Sequence, residues 1–267
     1  MTTLRERFWI WGHDPGCHHN TRNNVYKLPG VNRMDSLEGG RYLGIPNCCR
    51  VVYAGKPERP FDSEAEKLTP FRQVVWSILG DAGSKRNDNG GDDLAEVLRL
   101  AEKYPNIQGG ILDDFFRPQT KDARFGRNRL AEIRDSLHHA KRPLELWLVY
   151  YAGLLNIDYT EYLQLCDNIS FWSWTGADLA NAEKNLDRII AMTPGKKHYA
   201  GCYLYNYGDI RPITAEEMEF QLELYRKQML EQKIQGVIVC SNNVVDIGLE
   251  APEILRKWLA RHGDEVI

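Results

Sequence analysis

Residues 92–114 read DDLAEVLRLAEKYPNIQGGILDD. Leu94, Val97, Leu98 and Ala101 recur at three- and four-residue steps, which places them on one face of a helix over 92–103. Pro105 and Asn106 then punctuate the chain. The apolar run 109–112 is too short for a helix and suits a buried strand over 109–113, which delivers two acids, Asp113 and Asp114, at its end.

The same unit recurs in both directions along the chain. Strands are predicted at 7–12, 50–54, 73–79, 109–113, 144–150, 169–174, 199–205 and 236–240, each short and bounded by turn formers. Helices are predicted at 128–140, 178–191, 215–232 and 251–261, with shorter ones near 34–40 and 63–68. Thr214 with Glu217 forms a capping box, and Pro252 suits a first helical turn. Eight strands alternating with helices over 267 residues is the count of an α/β fold of the (β/α)8 TIM-barrel type, expected as one domain over 1–267. No G-x-G-x-x-G follows the first strand, which argues against a doubly wound sheet. The polar stretch 83–93 reads as a flap.

Composition narrows the function classes. Lys and Arg total 34 against 37 Asp and Glu, a net charge of −3, which disfavours nucleic acid or an anionic membrane surface as partner. No apolar stretch approaches the roughly 20 residues needed to span a bilayer. The N-terminal segment reads as a first strand and not a signal peptide. The irregular spacing of Cys17, Cys48, Cys49, Cys166, Cys202 and Cys240 suggests free thiols and a cytoplasmic location.

In a barrel, chemistry lies at the C-terminal strand ends. Aromatic and polar residues gather there: His13 and Asp14 after the first strand, Tyr150 after the fifth, Trp172 and Trp174 at the sixth, Tyr203, Tyr205 and Asn206 at the seventh, and Asn242 after the eighth. Flat rings stack on sugars while Asn, Asp and His bond hydroxyls, so these residues are candidate contacts to a small carbohydrate. Trp9 and Trp147 lie deeper in their strands and read as core. Asp113 and Asp114 are the candidate catalytic pair, because neighbouring carboxylates repel and one is driven to hold a proton. The competing structural role is a turn cap plus an ion pair to Arg117. No Glu occupies a strand end; Asp14, Asp81, Asp209 and Asp246 are the other carboxylates available.

The Asp113-Asp114 pair, together with Trp174-Thr175-Gly176 at the sixth strand, resembles the substrate-assisted glycoside hydrolases of family 84, the O-GlcNAcase-like β-N-acetylhexosaminidases. The resemblance is confined to these two strand ends. It implies a (β/α)8 barrel in which Asp113 orients the substrate acetamido group and Asp114 is the acid/base. The chitinase pattern D-x-x-D-x-D-x-E is absent from 107–114.

Two other readings compete with hydrolysis. His13, Asp14, Cys17, His18 and His19 can hold a metal for a sugar isomerase, epimerase or lyase, but their spacing matches no standard zinc motif. The favoured expectation is a polar loop with no metal or other cofactor, its His13 on a substrate hydroxyl or a backbone group. A non-catalytic carbohydrate-binding barrel is the third reading, since a second carboxylate across the site is not evident.

Overall fold

In the computed structural model, residues 1–21, 23–81 and 91–267 are described, with the side chains of Gly91 and Asp92 left out. Most of the predicted flap therefore lies outside the described residues. Eight parallel strands close into a barrel: Phe8–Gly12, Asn47–Arg50, Gln73–Leu79, Ile107–Leu112, Glu145–Tyr151, Asn168–Trp172, Lys197–Tyr203 and Gly236–Cys240. The first strand closes the ring by pairing with both the second and the last, Trp11 lying opposite Cys49 on one side and Cys240 on the other. The fold is the (β/α)8 barrel expected.

Helices cover the outside of the ring because each presents an apolar stripe to it. On Gly91–Lys103, Leu94, Val97, Leu100 and Ala101 are buried. Each fully buried Leu or Val contributes about 1.5–3 kcal/mol. The predicted box at Thr214 is present, its side chain accepting from the Glu217 N–H at the start of Ala215–Leu230. The predicted helix over 178–191 is two, Gly176–Ala180 and Ala182–Met192.

The largest departure is the second strand, expected at 50–54 and found at Asn47–Arg50. The ladder starts at residues with weak strand signals. Asn47 earns its place by donating to the Glu6 and Phe8 carbonyls. Arg50 is buried because Glu64 and Asp14 neutralise it. The β-branched residues Val51 and Val52 carry the chain out of the ladder towards Tyr53.

Side chains alternate between the lumen and the helices. Trp9, Trp147 and Tyr199 point inward and fill the barrel, with ring centroids 5.2 Å and 4.2 Å apart for Trp9–Trp147 and Trp147–Tyr199. Above them Trp11, Trp172 and Tyr203 form a second aromatic layer. Gly201 makes room for it: a Cβ there would sit 2.1 Å from the Trp172 indole.

Candidate active site

Two residues further along each inward-facing series the strands end, and a cavity of about 750 Å³ opens. Alternation explains which predicted residues reach it. Asp113 continues the inward series of Gly109 and Ile111, and its N–H still bonds the Leu79 carbonyl of the neighbouring strand. Asp114 would then face outward, but it adopts a left-handed backbone, φ 44°, and the turn brings it to the cavity as well. Arg117 pairs with Asp122 at 2.8 Å, so it does not take the role of partner to the acids.

Asp113 is 6% exposed. Burial, with Asp114 and Asp81 beside it, pushes its carboxyl well above the usual carboxylate range, and the Arg124 guanidinium offsets part of this. Arg124 is itself buried and donates to the Gly80 and Asp113 carbonyls, tying the third and fourth strand ends together. Asp81 lines the cavity, and its Oδ1 accepts from the Ala54 N–H at 2.9 Å. Of the four further carboxylates the sequence offers, Asp81 is the one in the cavity. Asp14 is bound to Arg50, Asp209 accepts from Asn206 and Gly176, and Asp246 accepts from Asn32 and the Arg33 and Met34 N–H groups.

His13, Trp172, Trp174 and Tyr203 line the cavity as expected. Five expected contacts lie behind its wall. Tyr150 faces the helices and donates to the Leu154 carbonyl. Tyr205 is buried and donates to the Tyr26 carbonyl. Asn206 caps the turn to Asp209. Asp14 is held by Arg50. Asn242 is fully buried and clamps the His13 backbone, accepting from its N–H at 2.8 Å and donating to its carbonyl.

The structure adds residues that were not among the expected contacts. Tyr151 lines the cavity and donates to Asp114 Oδ1 at 2.9 Å. Trp11, His18, Tyr26, Tyr53, Phe116, Asp178 and Tyr207 complete much of the wall. Applying the two-residue period from Trp147 picks Tyr151 over Tyr150, so that signal was present in the sequence. Tyr26 and Tyr207 come from irregular loops and carry no such signal. The donor atoms of His13, Cys17 and His18 lie within 4.8 Å of one another, the arrangement among these residues that could hold a metal.

No family model and no curated protein matches the chain. Its likenesses are to solved barrels. A protein assigned as an α-L-fucosidase from Bacteroides thetaiotaomicron VPI-5482 is 10% identical with a TM-score of 0.60, over 86% of this chain and 88% of that one. A GH113 β-1,4-mannanase is 12% identical with a TM-score of 0.53, over 97% and 99%. An FMN-binding β-glucuronidase from Facaelibacterium prausnitzii L2-6 is 12% identical with a TM-score of 0.52, over 74% of this chain but only 32% of its own. These three are named as enzymes acting on glycosides, and a pyruvate carboxylase from Rhizobium etli, 14% identical with a TM-score of 0.50 over 98% of this chain and 25% of its own, matches as well. At this identity they show the fold, and the chemistry must be argued from the site.

Proposed function

We propose that the protein is a glycoside hydrolase in which Asp114 transfers the proton and Asp113 orients the substrate. The observation that carries this is a buried carboxyl, Asp113, lining an aromatic-walled cavity with a second acid beside it in the chain, its pKa raised by burial and by the neighbouring Asp114 and Asp81. Asp114, set at the turn and oriented by Tyr151, is the acid/base that meets the scissile oxygen. Asp113, buried at the cavity beside it, orients the sugar. The resemblance to family 84 assigns the same two roles, and an N-acetylhexosaminide is the substrate it suggests.

Trp172, Trp174 and Tyr203 form the stacking wall. Asp81 supplies a further carboxylate in the cavity, which favours turnover over binding alone. Eight-stranded neighbours that act on glycosides are consistent with this reading at the level of fold. Screening a panel of aryl glycosides, N-acetylhexosaminides included, against wild type and Asp114→Asn tests it. Turnover by wild type that Asp114→Asn loses is expected; equal inertness of both across the panel would overturn it.

A further inference from the structure

We propose that His13, Cys17 and His18 bind one zinc-type divalent ion at the wall of the cavity that His13 and His18 line. The local chain is built for this convergence. Gly16 takes φ +69°, which reverses the chain after Asp14 and starts the one-turn helix Cys17–Asn20. Cys17 and His18 are thereby folded back on His13, a closeness that linear spacing hides. The donor atoms lie within 4.8 Å of one another, and those around one tetrahedral zinc are roughly 3–4 Å apart, so small rotations complete the set.

An independent observation points to a ligand. His13 is 2% exposed and lines the cavity, yet neither of its ring nitrogens has a hydrogen-bond partner among the described residues. Leaving a buried polar group unsatisfied is costly, and an ion would relieve it. The Tyr207 hydroxyl lies 3.0 Å from His18 Nδ1, the kind of outer contact that fixes the ring of a ligating histidine.

The backbone under the cluster is clamped. Asn242 accepts from the His13 N–H, Asn243 from the His18 N–H at 3.2 Å, and Asn32 from the Gly16 N–H at 2.9 Å. The nearby Arg50 charge is matched by Asp14 and Glu64. Two imidazoles and a thiol prefer zinc to magnesium or calcium. Binding exchanges the Cys17 S–H for an S–metal bond and releases one proton to water.

Full-length, metal-stripped protein titrated with Co(II), then Zn(II), tests the site. One equivalent of cobalt should give a sulfur-to-cobalt charge-transfer band in the near ultraviolet that zinc abolishes. Cys17→Ser should lose the band, His13→Gln should bind at least 10-fold more weakly, and Cys166→Ser should behave as wild type. Wild type that shows no such band, or a band retained in Cys17→Ser, would overturn the site, and the wild-type arm needs no variant to fold. Aryl-glycoside turnover persisting in a protein without the band would end the metal proposal and leave the hydrolase reading standing.

Discussion

The Tyr151 hydroxyl donates to Asp114 Oδ1 at 2.9 Å, whereas its neighbour Tyr150 turns the other way and donates to the Leu154 carbonyl. Adjacent tyrosines on one strand thus serve different ends. Tyr151→Phe removes the contact that orients the proposed acid/base and should lower kcat/KM by roughly 10- to 100-fold. Tyr150→Phe should leave turnover unchanged and cost about 1 kcal/mol of stability. Steady-state kinetics and denaturant unfolding on the two variants separate these effects; equal kinetic losses would argue against the assignment.

Asp113 has a folded-state pKa raised above its unfolded value. The native state therefore binds the proton more tightly than the unfolded chain. The resulting stabilisation is present in full below about pH 4, the unfolded carboxylate pKa, and is lost as pH rises through the raised folded value. Asp113→Asn has no such loss. Thermal unfolding over a pH series should show the variant gaining on wild type towards neutral pH, and a pH-independent difference would contradict the burial argument.

Gly201 leaves the space that Trp172 fills. Gly201→Ala should destabilise the barrel by about 1–3 kcal/mol and displace the indole from the cavity wall. Chemical unfolding with tryptophan fluorescence reads both effects. An alanine variant of unchanged stability and emission would show that the second aromatic layer is looser than described.

Trp174 is half-buried at the cavity, edge-on to Tyr151 and Tyr203 and stacked on Tyr207. Trp174→Ala should raise KM about 10-fold with a smaller change in kcat, since it removes a platform for sugar and leaves the acids in place.

The barrel was legible because strand and helix periods differ and alternated eight times along the chain. The site was legible in part. Asp113 and Asp114 stand out as acids at the end of an apolar run, and Trp172, Trp174 and Tyr203 keep the two-residue period of their strands. Tyr150 and Tyr151 both stand at the end of the fifth strand, and only the two-residue period running from Trp147 separates the one that reaches the cavity. Asp14, Asn206 and Asn242 are polar strand-end residues whose partners, Arg50, Asp209 and the His13 backbone, are set only by tertiary packing. The second strand begins earlier than expected because Asn47, a weak strand former, is held in the ladder by the Glu6 and Phe8 carbonyls, a tertiary contact that no local propensity encodes.

The role of Asp114 as acid/base is most directly tested by the dependence of kcat/KM on leaving-group acidity, measured for wild type and Asp114→Asn on a series of aryl glycosides. A deficit of about 10²–10⁴-fold for Asp114→Asn that widens as the leaving phenol becomes less acidic is the expected result. Identical slopes and rates for the two proteins would contradict it.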